Sequence, residues 1–214
     1  MSSTSFFQRY KFWLLLFLAI ILTRLPIISI PFNWLESYFH ELSHGLAALM
    51  SGGKIIKIEL FTNGAGLCTT QGGSRFFISF MGYTGAILWG ALLYLAAKRY
   101  NKVAKNISLF MLALLAVSIL LWVRDLLTLV ILLVLMALFY GKWRLKSDYI
   151  AIMLQFIGLT VLLNAVLSPL HLLDGRHIGD GASLASLTYI PELLWVVLWS
   201  SMGVAVLYQL GKRK

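Results

Sequence analysis

The chain has 214 residues, 60% hydrophobic and only 12% charged, with a mean hydropathy of +0.85. A soluble domain carries about 25% charged residues, so an ordinary water-soluble globule is excluded. The net charge of +10 does not point to nucleic acid, because the basic residues cluster between and after apolar runs, as the positive-inside bias dictates.

Residues 1 to 11 form a short polar and basic lead. A first span is expected from about Lys11 to Ile30, ended by Pro26 and Pro31. No small-residue cleavage site follows its apolar run, so it reads as a retained span and not a signal peptide. Asn33 and Glu36 have capping-box spacing, which predicts a helix from Asn33 that stops at Gly52-Gly53. Such a helix is roughly 27 Å long at 1.5 Å per residue.

Within that helix lies His40-Glu41-Leu42-Ser43-His44. Four residues apart, the two imidazoles share one helix face and can hold a zinc ion together. Glu41 beside them can take a proton from a zinc-bound water. Ionisable residues in so apolar a chain are candidates for a functional site.

Lys54 to Phe61 changes to a period of two and predicts a strand. After Thr62-Asn63-Gly64-Ala65-Gly66, residues 67 to 71 can return as a second strand. Arg75 to Ala97 is the next expected span, with Gly82, Ala86 and Gly90 as a small-residue stripe for close helix approach. Spans are expected over 107–123, 126–140, 149–167 and 192–210, with Arg124-Asp125 as a hairpin-tip pair. Basic loops at 98–105 and 142–146 place both termini on the cytoplasmic side. Seven full spans would contradict that placement. Six spans plus a partial or re-entrant helix at 33–51 restore the parity, and partial elements are tolerated where protein encloses a cavity.

A polar segment, residues 169–191, interrupts the last two spans. A catalytic zinc takes three protein ligands and keeps one open position. His171, Asp174, His177 and Asp180 are the candidates for the third ligand, and a carboxylate suits the pair of histidines. Asp125 is a weaker candidate beside Arg124. Glu36 could support a ligand imidazole, but its capping role is the simpler reading. Cys68, the single cysteine, excludes a disulfide and reads as an inert small residue. Trp34, Tyr83, Trp122, Trp143 and Tyr208 read as interface anchors.

The pairing of His40-Glu41-Leu42-Ser43-His44 with a distant Leu173-Asp174-Gly175 resembles the site-2 protease family of intramembrane zinc metalloproteases. Pro169 stands five residues before Asp174, as that pattern expects. Asn164, to which the resemblance assigns a substrate-orienting role, stands five residues before Pro169 where the pattern has three. Gly72-Gly73-Ser74-Arg75, Gly82-Tyr83-Thr84-Gly85 and the run from Asp180 to Pro191 are similar to a small bacterial branch of the same family. The resemblance implies zinc held by His40, His44 and Asp174, with Asp180 as rival, and Glu41 as general base.

The expected fold is an all-α polytopic membrane protein of about six transmembrane helices, a partial HExxH helix and a β-hairpin, in a single domain over 1–214. The activity implied is hydrolysis of peptide bonds in membrane-spanning or membrane-embedded protein segments, in a bacterial cell membrane. The alternatives are a catalytically inactive zinc-binding scaffold and a transporter. No inverted repeat of the kind transporters carry is visible.

Overall fold

A computed structural model describes the backbone over residues 3–99, 103–140 and 145–212, with side chains from residue 10 onward. Parts of the basic loops, with Lys102, Lys142, Trp143 and Arg144, lie outside the described residues, as does the C-terminal pair Arg213-Lys214. The elements in chain order are α1 (Ser3–Thr23), α2 (Pro26–Met50), β1 (Lys54–Leu60), β2 (Gly66–Gln71), α3 (Arg75–Arg99), α4 (Ala104–Trp122), α5 (Leu126–Tyr140), α6 (Ser147–Leu167), a 3-10 segment (Ser168–Leu173), α7 (Asp180–Thr188) and α8 (Glu192–Lys212). The protein is an all-α polytopic membrane protein with one antiparallel hairpin.

Among the described residues, four helices are long and apolar enough to cross a bilayer: α3, α4, α6 with its 3-10 extension, and α8. Helices α1 and α2 pass the same test only as a pair, bent by 108° at their junction. The 15-residue α5 is apolar but shorter.

The bend has a local cause. Pro26 opens α2, and the residue before a proline is pushed out of the helical region. Leu25 accordingly sits at φ −93°, ψ 109°. The helix then continues through Pro31, so the expected start at Asn33 is corrected. The capping box does not form. Asn33 Oδ1 instead accepts a bond from Asn164 Nδ2 at 3.0 Å, and Glu36 Oε1 accepts one from Ser168 Oγ at 2.9 Å. Where little water can bond the backbone, extending the helix satisfies more peptide groups than stopping it.

Helix α3 is the hub, packed against α2 on one side and α6 on the other. Its small-residue stripe makes this possible. A Cβ at Gly90 would lie 2.8 Å from the Leu162 nitrogen, and one at Gly158 would lie 2.8 Å from the Gly90 oxygen. Backbones this close gain dispersion contacts that lipid cannot offer. The hairpin pairs Lys54 with Gln71 through Leu60 with Gly66, with an irregularity between Ile55 and Lys57. It is anchored at its turn end. Leu60 N–H donates to Thr128 Oγ1 at 2.9 Å, Trp34 Nε1 donates to the Phe61 carbonyl at 3.0 Å, and Ser37 Oγ donates to the Gly64 carbonyl. Trp34 is therefore a tie between α2 and the hairpin. Arg124 and Asp125 do not pair as expected: Arg124 donates to the Leu121 and Val123 carbonyls, and Asp125 accepts from Thr128 N–H at the start of α5.

Candidate metal centre

His40 and His44 lie one turn apart on the face of α2 that looks at α3 and α7. Their Nε2 atoms are 2.9 Å apart. His44 Nδ1 donates to the Ile78 carbonyl of α3 at 2.7 Å, which leaves the Nε2 lone pair directed inward. The imidazole of His40 meets the ring of Tyr83 edge-on, with centroids 4.4 Å apart. Tyr83 is thus a wall of the site and not an interface anchor. Gly82 backs both histidines. A Cβ there would lie 2.5 Å from His44 Nε2 and 2.7 Å from His40 Nε2.

The third arm comes from α7. Asp180 Oδ2 is 3.1 Å from His40 Nε2 and 3.2 Å from His44 Nε2. Among the described residues, His40, His44 and Asp180 form the group whose ligand atoms could share one ion, all within 4.8 Å of one another. Burial pushes the Asp180 carboxyl up, but the charge and hydrogen bonds of His44 and His40 outweigh it and hold the group well below the usual carboxylate range. Helix α7 is docked by Leu184, fully buried in a cluster with Tyr83, Trp195 and Trp199, and by Ser79 Oγ donating to Ser183 Oγ at 3.0 Å.

Asp174, favoured by motif spacing, is placed elsewhere. Arg176 donates to it through its backbone N–H at 2.9 Å and Nε at 2.6 Å, and these bonds hold its exposed carboxyl below the usual range. The reversal between the two aspartates runs through Gly175 (φ 80°), His177 (φ 52°) and Gly179 (φ 101°). That path carries Asp174 outward and Asp180 inward. His177 and His171 also lie outside the cluster. His171 Nδ1 donates to the Ser168 carbonyl at 3.2 Å, and His177 Nδ1 donates to Glu192 Oε2 at 3.2 Å.

Glu41 is buried, 6% exposed, beside the histidines. It accepts a bond from the Cys68 backbone N–H. The hairpin comes so close that a Cβ at Gly66 would lie 2.7 Å from Glu41 Oε1. Burial, and then the Glu41 charge, push the Cys68 thiol up to about 12, which agrees with an inert role. A cavity of about 720 Å³ opens onto His40, Glu41, His44 and Asp180, and Asn33, Glu36 and Asn164 also line it.

Two imidazole nitrogens and a carboxylate oxygen, facing a cavity, lie close enough to hold one metal ion and are donors of the kind zinc takes. A model of the Peptidase M50B-like family matches residues 13–210. The chain belongs to the Peptidase M50B-like family. No curated protein and no solved structure matches it. Peptidase M50B-like proteins are site-2 proteases, a family of membrane zinc metalloproteases, and the matched range includes α2, the hairpin and α7. Gly82 and Gly66 were legible as small-residue or turn positions and Tyr83 as an interface anchor, but nothing local tied them to the histidines. Only the α2–α3 and α2–β2 approaches reveal that link.

Proposed function

We propose that this M50B-like chain is a zinc endopeptidase that hydrolyses peptide bonds in membrane-spanning or membrane-embedded protein segments. The observation that carries the reading is the convergence of His40, His44 and Asp180 beside buried Glu41 in one cavity. His40, His44 and Asp180 would hold the ion. Zinc, when bound, supplies Lewis-acid polarisation and lowers the pKa of a water in its open position. Glu41 takes a proton from the attacking water and delivers it to the leaving amine. The Cys68 N–H and the close approach of Gly66 fix the carboxylate for both transfers. Asn164, held by Asn33 at the cavity wall, is placed to bond a substrate peptide group. An extended substrate could add to the hairpin edge, since a helix must unwind before its carbonyls can be reached. The protein resides in a bacterial cell membrane, both termini cytoplasmic, which agrees with its basic loops.

The test is Glu41→Gln in the full chain, reconstituted with a transmembrane peptide substrate. Zinc content stays at the wild-type level and cleavage is lost. Cleavage at the wild-type rate would refute the mechanism. Full zinc in the wild type with no turnover of any membrane substrate would make the chain a non-proteolytic family member.

A further inference from the structure

Asp180 is the one proposed ligand that α2 does not supply, so something must set the angle and height of α7. The chain gives α7 no cap of its own. Its N-cap is Gly179, at φ 101°, with no side-chain hydrogen bond to the first turn. Against that turn sits the side chain of Glu192, the first residue of α8. A Cβ at Gly181, the residue after Asp180, would lie 2.8 Å from Glu192 Cγ and 2.9 Å from Glu192 Oε1. The glycine is what lets the carboxylate come this close.

The Glu192 side chain is only 11% exposed. Its Oε2 accepts from His177 Nδ1 at 3.2 Å, while Oε1 is buried without a hydrogen-bond partner. A buried carboxylate oxygen left unbonded carries its full desolvation penalty, a larger one than a neutral acceptor would. Beside it lies the start of α7, whose first N–H groups have no partner within the helix, and a negative charge is stabilised at such an N-terminus. Through His177 the same side chain grips the strap that leads into α7, where the backbone turns through a positive φ.

We propose that Glu192 is a positioning residue for Asp180: wedged against Gly181 and tied to His177, it sets the first turn of α7 so that the Asp180 carboxylate reaches His40 and His44. The inference rests on the metal centre proposed above. Glu192 lies outside both the ligand cluster and the residues that line the cavity. It acts through Asp180, and that makes a specific prediction about additivity.

Zinc affinity is measured by competition with a chromophoric chelator on the purified full chain, for wild type, Glu192→Gln, Asp180→Ala and the double variant. Glu192→Gln raises Kd by about 10–100-fold, the usual effect of removing a group that orients a ligand. Asp180→Ala raises it further. In the Asp180→Ala background, Glu192→Gln changes Kd no further, because the ligand it positions is gone. An unchanged Kd in Glu192→Gln overturns the proposal. So does a loss that adds fully to that of Asp180→Ala, which would mean that Glu192 acts as a remote charge. If Asp180→Ala itself binds zinc as tightly as wild type, the metal-centre reading fails, whatever Glu192 does. Should Glu192→Gln not fold, Glu192→Asp withdraws the carboxylate from Gly181 by one methylene and is held to the same two criteria.

Discussion

Gly66→Ala separates the roles of hairpin and helix in the proposed chemistry. The residue has no positive φ, so alanine suits its backbone. The obstacle is Glu41. The new Cβ would lie 2.7 Å from Oε1 and 2.6 Å from Cγ, some 0.7–0.8 Å inside the 3.4 Å at which ordinary contact begins. The hairpin cannot retreat easily, because Leu60, opposite Gly66, is tied to Thr128 and the turn is bonded to Trp34 and Ser37. The glutamate must therefore move by most of that amount. Misplacing a catalytic group by about 1 Å can lower a rate by about 100-fold. His40 and His44 are not touched. The expected result is wild-type zinc content with cleavage of a transmembrane peptide lowered by about 30- to 100-fold, and a Glu41→Gln, Gly66→Ala double variant no slower than Glu41→Gln. Unchanged cleavage, or loss of zinc along with activity, would rule out displacement of Glu41 by the hairpin.

Gly82→Ala should do the opposite. Its Cβ meets both Nε2 atoms, so zinc Kd should rise by at least about 10-fold, while the improved helix propensity keeps the apo fold within about 1 kcal/mol of wild type. Calorimetric zinc titration with a thermal melt checks both halves. Cys68 should resist maleimide at pH 7.5 in the folded chain and react once unfolded. A thiol at about 12 instead of 9.0 carries about a thousandfold less thiolate, and rapid labelling of the native chain would contradict the effect of its partial burial.

Much of the architecture was legible because hydrophobic runs and turn residues are local signals. The helix over 126–140 and the hairpin over 54–71 lie where period and glycine placement put them. The start of α2 was misread for a physical reason. Asn33 and Glu36 have the spacing of a cap, but their partners are Asn164 and Ser168, more than 130 residues away. The third arm of the site was ambiguous for a related reason. Whether Asp174 or Asp180 turns inward depends on three positive-φ residues between them and on Arg176, which satisfies Asp174 locally. The Arg176 neighbour was a visible hint. The contacts of Gly66, Gly82 and Gly181 were not, since a missing Cβ reveals its purpose only when the facing side chain is known.

In the proposed metal centre one zinc is held by His40, His44 and Asp180. Zinc stoichiometry and affinity of the purified chain, compared with Asp180→Ala and Asp174→Ala, test it most directly. One zinc per wild-type chain, a loss of at least about 100-fold in affinity for Asp180→Ala, and wild-type binding for Asp174→Ala are expected. Full binding by Asp180→Ala with loss in Asp174→Ala would contradict it.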